Sequence, residues 1–332
     1  MDLKEALYYE TEDNQRVRCY LCPHKCLIKP DQKGICRVRV NRAGYLYTLN
    51  YGQLTSLALD PIEKKPLYHF YPGSLILSVG TFGCNLACPF CQNYTIAHQK
   101  PETRWMSPED LLSVARRCQL DGSIGVAFTY NEPSIWFEYV WDCAQLLHAQ
   151  GQQVVLVTNG HIEAEPLADL LPYVGAMNID VKAFQEDFYR KLCKGSLAAV
   201  KERIQQAVQS THVEVTTLII PGENDSPQEI ESLASWLASI DRTLPLHLSR
   251  YHPAYRFDRS STPEKTMRTA KEIAQQYLEF VYLGNLPGES SPTFCRECGN
   301  LLVDRSGYQT RLSGFKNDCC NHCGGQVPYL IT

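Results

Sequence analysis

Apolar residues in this chain fall in short continuous runs, and amphipathic stretches separate them. The runs stand at 74–80 (SLILSVG), 125–130 (GVAFTY), 154–159 (VVLVTN), 176–181 (AMNIDV), 213–219 (VEVTTLI), 244–251 (LPLHLSRY) and 280–285 (FVYLGN). Unbroken aliphatic and β-branched runs of this length suit strands buried on both faces of a parallel sheet. The stretches between them carry helix-start signals. Ser107-Pro108-Glu109-Asp110 precedes LLSVARRC, and Asp225-Ser226-Pro227-Gln228-Glu229 precedes IESLASWLASI. Repeated βα units across this span predict an α/β fold, a closed or partly closed (β/α) barrel with its chemistry at the carboxyl ends of the strands. A doubly wound open sheet is the alternative. No Gly-x-Gly-x-x-Gly or Walker loop follows the first run, so no nucleotide motif supports it.

The chain has 332 residues, 44% of them hydrophobic and 20% charged, which supports one large core with small appendages. No apolar run approaches the roughly 18 residues of a membrane span, and the chain opens on the charged MDLKEAL, so a soluble, cytoplasmic protein without a membrane partner is expected. Lys plus Arg number 32 against 36 Asp plus Glu, a net charge of −4. No global positive field recruits nucleic acid, and any polyanion site must be local.

Cysteine changes the picture. There are 15, and twelve form three groups: Cys19, Cys22, Cys26 and Cys36; Cys84, Cys88 and Cys91; and Cys295, Cys298, Cys319, Cys320 and Cys323. In a reducing compartment such groups bind metals more readily than they form disulfides. The middle group, spaced C-x3-C-x2-C after the first strand, supplies three thiolates, enough for three irons of a cubane cluster with the fourth iron left open. Zinc in a structural site would want four protein ligands. Gly80 and Gly83 let the backbone approach and offer N–H groups to sulfur, and Phe90 can shield a cluster from water. The amino-terminal group offers four thiolates, which close either a zinc site or a fully ligated second cluster. Eight cations from Arg16 to Arg42 surround it against one acid, Asp31. They offset the charge of a thiolate-bound metal, or else form a docking surface. At the carboxyl end Cys295-x2-Cys298-Gly299 and Cys320-x2-Cys323-Gly324 are two matched knuckles, the pattern of a zinc ribbon, with a rubredoxin-like iron site as the alternative. Cys118, Cys143 and Cys193 read as core packing.

The triad on a loop after the first barrel strand resembles the radical S-adenosylmethionine (SAM) superfamily. Segments in the same order strengthen the likeness. Thr129-Tyr130-Asn131-Glu132-Pro133 stands where that superfamily has a Gly-Gly-Glu segment. Asn178-Ile179-Asp180-Val181-Lys182 is similar to an Asp-x-Lys segment of glycyl-radical-enzyme activases, as are Ile220-Pro221-Gly222 and Arg250-Tyr251-His252-Pro253. The amino-terminal segment from Arg18 to Arg39 resembles that of the AmmeMemoRadiSam-system enzymes, relatives of pyruvate formate-lyase activating enzyme. The resemblance implies a partial (β/α)6-type TIM barrel over 74–288, with cysteine-rich metal-binding modules at 1–73 and 289–332. It implies a 4Fe-4S cluster on Cys84, Cys88 and Cys91, with SAM held by Asn131, Glu132, Asn159, Asp180, Lys182 and His252. The plainer alternatives are a helix cap for Glu132, an ion pair for Asp180 and Lys182, and turn positions for Asn159 and His252. The expected activity is reductive cleavage of SAM to a 5′-deoxyadenosyl radical that abstracts hydrogen from a protein or another macromolecule, with flavodoxin or ferredoxin as electron donor. The alternatives are a small-metabolite or RNA substrate, or a non-catalytic metal-binding interaction protein.

Overall fold

A computed structural model describes residues 3–99 and 101–332. Its centre is an eight-stranded sheet: β1 (Ser56–Pro61), β2 (Leu75–Gly80), β3 (Ser123–Phe128), β4 (Gln153–Thr158), β5 (Ala176–Asp180), β6 (His212–Ile219), β7 (Leu246–Arg250) and β8 (Val281–Gly284). Strands β2 to β8 are parallel and lie in the order of the sequence, and β1 pairs antiparallel with β2 at one edge. Each of the seven parallel strands corresponds to one of the apolar runs. A doubly wound sheet reverses its strand order part-way across. This order never reverses, which is barrel topology. The outer strands β1 and β8 do not pair with one another among the described residues, so the barrel is partial, with six βα units and a last strand.

The crossover helices are α1 (Pro108–Gln119), α2 (Phe137–His148), α3 (Ala164–Leu170), α4 (Leu197–Ala207), α5 (Pro227–Ile240) and α6 (Glu264–Ala274). Helix α1 starts with the reciprocal box its sequence announces: Ser107 Oγ accepts from Asp110 N, and the Asp110 carboxylate accepts from Ser107 N. Helix α5 has half of it. Ser226 Oγ accepts from Glu229 N, but the Glu229 carboxylate turns instead to Phe184 N and Gln185. Residues at the amino ends of the sheet strands carry a second, aromatic core. Phe280 and Tyr282 pack there with Leu302, Val303, Val327, Tyr329 and Leu330 of the carboxyl-terminal segment. Arg305, 1% exposed, stacks over Tyr68 at 4.7 Å and donates to Ser291 O and Thr293 Oγ1. The carboxyl-terminal cysteines therefore lie at the opposite end of the barrel from the C-x3-C-x2-C loop.

Residues 3–48 build two three-stranded sheets: Tyr9–Glu12, Arg16–Cys19 and Leu27–Ile28, and Lys4–Glu5, Arg39–Arg42 and Tyr45–Thr48. They are pinned to the barrel by an ion pair between Arg39 and Glu138 of α2, each side chain 1% exposed. Such a pair adds little over an apolar substitute, but removing one partner strands a buried charge at a cost of about 3–5 kcal/mol. Among the described residues no helix is long and apolar enough to cross a membrane.

Candidate active site at the carboxyl ends of the strands

Strand β2 ends at Gly80, and the chain then enters the loop that carries Cys84, Cys88 and Cys91. All three line a cavity of about 470 Å³ at the carboxyl ends of the strands. Gly83 has a φ of 93°, and a Cβ there would meet Val38 Cγ1 at 2.6 Å and Cys36 O at 3.0 Å. Glycine is thus required for close approach to the amino-terminal segment, not for donation to sulfur, since its N–H bonds Ile96 O at 3.0 Å. Donors to Cys84 Sγ come from Leu86 N at 3.4 Å and Asn159 Nδ2 at 3.7 Å. Burial raises the thiol of Cys84 well above its ordinary range and pushes that of Cys91 up to about 11, so a cationic centre is needed to hold them as thiolates. Cys193 is fully buried against the triad loop: its carbonyl accepts from Ala87 N at 2.8 Å, and its thiol beside Cys88, together with burial, raises the Cys88 thiol well above its ordinary range.

A polar network ties this loop to the next two strand ends. Glu132, 2% exposed, follows β3 and caps the short helix Pro133–Trp136 through Ser134 N at 2.9 Å. The same carboxylate accepts from Thr158 Oγ1 at 2.6 Å and Asn159 N at 2.7 Å, both at the end of β4. Burial raises its pKa against the pull of these three donors. Asn159 Nδ2 also donates to Asn85 Oδ1 at 3.0 Å, and Asn85 Nδ2 to His161 O at 2.6 Å. Asn131 bridges the loops, accepting from Thr81 N and donating to Gly83 O. At the end of β5, Lys182 Nζ lies 2.9 Å from Asp180. Burial alone would discharge the lysine, but Asp180 outweighs it and holds the ammonium charged.

The cavity thus gathers Cys84, Cys88, Cys91, Asn131, Glu132, Asn159, Asp180 and Lys182 from separate parts of the sequence. His252 is not among them. The buried Thr262 accepts from Tyr251 N, Tyr251 turns inward, and the next residue faces out, where His252 meets Ser261 Oγ at 3.1 Å. From β7 it is Ser249 that lines the cavity. Sequence reasoning missed Lys64 and Lys65, which enter from the turn after β1, both on the Asp60 carboxylate at 2.8 Å. Tyr130 OH also donates to Asp60, at 2.6 Å, and its ring lies under Lys65. The only signal was the alternation in SLALDP, too short to announce an edge strand.

Residues 78–237 match the Radical SAM superfamily. The chain belongs to that superfamily. Across 99% of its length this radical SAM protein is 39% identical to an uncharacterized protein of Methanocaldococcus jannaschii, covering all of it. It is 29% identical to the GTP 3′,8-cyclase of Geobacter sulfurreducens over 74% of this chain and 75% of the cyclase. It is 23% identical to an M. jannaschii protein named as a candidate glycyl-radical enzyme activating enzyme, over 66% of this chain and 92% of that protein. Membership implies a 4Fe-4S cluster and SAM, and the triad fits. It offers three sulfurs on one loop beside a cavity into which Glu132, Asn159 and Lys182 also face.

At the far end of the barrel, Cys295 and Cys323 Sγ are 3.8 Å apart and Cys298 and Cys320 Sγ 3.7 Å apart, all four within 4.8 Å of one another. Bonds of about 2.3 Å to one tetrahedral ion put sulfurs about 3.8 Å apart, so these four can hold a metal ion. Cys319, beside Cys320, is not part of the group.

Proposed function

We propose that this radical SAM enzyme cleaves SAM reductively and uses the 5′-deoxyadenosyl radical to abstract hydrogen from a protein or another macromolecule. The observation that carries the reading is the convergence of Cys84, Cys88 and Cys91 with Glu132, Asn159 and Lys182 on one cavity at the strand ends. Cys84, Cys88 and Cys91 would hold the cluster, and cluster and SAM together would supply a one-electron cleavage of a carbon–sulfur bond. The protein's own part is positioning. The Glu132 carboxylate, fixed by donors from two strand ends, orients the SAM amino group. The Lys182 ammonium compensates anionic charge, and Asn159 sets the loop bearing Cys84. The buried walls keep water from the radical.

A macromolecular substrate is supported by the activase-like segments at Asp180 to Lys182 and at Ile220 to Gly222, and by the relative named as an activating enzyme. The cyclase relative favours a second reading, a small or nucleotide substrate. The carboxyl-terminal quartet suits zinc, and its place at the opposite end of the barrel makes it structural. Flavodoxin or ferredoxin serves as electron donor. The test is anaerobic reconstitution with SAM and a reductant. 5′-Deoxyadenosine should form in the wild type and vanish in Cys88→Ala, and a glycyl-radical signal on an added partner protein would select the first reading over the second.

A further inference from the structure

Three cysteine groups in one chain allow their sulfur spacings to be compared. The carboxyl-terminal four are drawn in to the spacing of a single tetrahedral ion, and among the described residues no other group of histidine, cysteine or acidic side chains has its ligand atoms all within 4.8 Å of one another. The triad of Cys84, Cys88 and Cys91 does not meet that spacing. Nor do Cys19, Cys22, Cys26 and Cys36, although all four face one small cavity. One zinc ion pulls its sulfurs to about 3.8 Å. A cubane binds each thiolate to a different iron and holds the sulfurs farther apart. The amino-terminal quartet, like the triad, thus lacks the spacing of a single-ion site.

The lining carries a second indication. Arg39, 1% exposed, faces the same cavity, and its Nη1 lies 3.6 Å from Cys19 Sγ. Its Nε is buried without a partner. Its Nη2 is already paired with Glu138, and the guanidinium's remaining donors beside sulfur suit a site whose thiolates carry net negative charge. Backbone N–H groups of His24, Ile35 and Val38 reach Cys22, Cys26 and Cys36. Three other cations of the segment are spent on the surface: Arg16 and Arg18 on Glu12, and Lys25 on Glu163. Arg39 is the one placed to meet the site. The quartet also adjoins the triad loop, since His24 Nε2 bonds Asn85 O at 2.7 Å and Gly83 packs on the Cys36 carbonyl.

We infer that Cys19, Cys22, Cys26 and Cys36 hold a second 4Fe-4S cluster, closed by four protein thiolates and so unable to bind SAM. The inference stands apart from the activity proposed for the triad, and its test leaves the triad out. The full-length Cys84→Ala/Cys88→Ala/Cys91→Ala variant is reconstituted anaerobically with iron, sulfide and zinc, then desalted. About four irons and four sulfides per chain should remain with about one zinc, and the reduced electron paramagnetic resonance signal should not change on adding SAM. About two zincs without iron would overturn the inference, as would no metal beyond the single carboxyl-terminal ion, or a signal that shifts with SAM. If the triple variant fails to fold, Cys19→Ser/Cys36→Ser in the otherwise wild-type chain decides: iron should fall from about eight to about four with zinc unchanged. Unchanged iron, or lost zinc, refutes it. Failure of the proposed activity would instead appear as no 5′-deoxyadenosine from the wild type, whatever the iron count.

Discussion

Replacing Glu132 by glutamine keeps the side-chain shape and removes its charge. In the wild type Oε1 accepts from Ser134 N and Thr158 Oγ1, and Oε2 accepts from Asn159 N at 2.7 Å. The glutamine oxygen can keep the first two partners. Its NH2 group must then face the Asn159 N–H, donor against donor, leaving a buried N–H unpaired at a cost of about 1–3 kcal/mol, and the retained bonds weaken to neutral ones. Relief of the buried charge returns part of this, since burial disfavours the ionised carboxylate. A net loss of about 2 kcal/mol results. With an unfolding entropy of about 2.1 cal/mol/K per residue over 332 residues, that lowers Tm by roughly 3 °C.

Two readouts therefore move together. Oε2 accepts one bond from the protein, so one lone pair is left for an ammonium group, and loss of a charged hydrogen bond worth about 1.5–3 kcal/mol weakens SAM binding roughly 10- to 150-fold. Thermal melts of the apoprotein and SAM titrations of cluster-loaded protein check both values. An unchanged Tm would refute the network argument. A lowered Tm with unchanged affinity would show that Glu132 is only the cap of Pro133–Trp136 and the link to β4.

Cys88→Ala should abolish 5′-deoxyadenosine formation while circular dichroism reports an intact barrel; retained turnover would sink the triad assignment. Cys298→Ser/Cys323→Ser should lose about one zinc per chain with SAM cleavage retained, because the quartet sits at the far end of the barrel. Unchanged zinc would refute that site. Deleting residues 289–332 is a poorer test of zinc, since it uncovers Phe280 and Tyr282 and should lower Tm by itself. Burial depresses His69 to about 3, while its ring bonds Tyr329 O at 3.0 Å and Tyr282 OH at 2.7 Å. Below pH 6.5 the unfolded chain takes up a proton that the folded chain refuses until about pH 3. Stability should therefore fall by up to about 1.4 kcal/mol per pH unit below 6.5, and His69→Gln should flatten that slope between pH 6.5 and 5. Equal slopes in melts of the two proteins would exclude it.

The seven parallel strands were legible because a strand buried on both faces must be apolar throughout, and both Ser caps were legible because a hydroxyl meets an orphan N–H at a fixed offset. Strand β1 was not. It lies at an edge with mixed exposure, and such a strand has no continuous run. With it went Lys64 and Lys65, whose place in the cavity depends on an antiparallel pairing that no local pattern encodes. The Asp180–Lys182 pair was legible through its likeness to the activase segment, with an ion pair as the plainer reading. The outward turn of His252 was not, because it is set by Thr262, ten residues later.

Cysteine spacing in sequence and sulfur spacing in space carry different information. C-x2-C occurs at Cys19 to Cys22, at Cys88 to Cys91 and at both carboxyl-terminal knuckles. Sequence alone therefore left zinc and iron open at two of the three sites. At the carboxyl end two knuckles from matched turns converge, and four sulfurs meet within the reach of one ion. In the amino-terminal module Cys19 ends one strand, Cys22 and Cys26 lie in the turn to the next, and Cys36 precedes the strand Arg39–Arg42, with Arg39 beside Cys19, and the four sulfurs are not all within 4.8 Å of one another. What separates the two sites is the folded distance between turns that the chain brings together from up to 28 residues apart, as between Cys295 and Cys323. That distance decides how many irons, or how few zincs, the sulfurs can share.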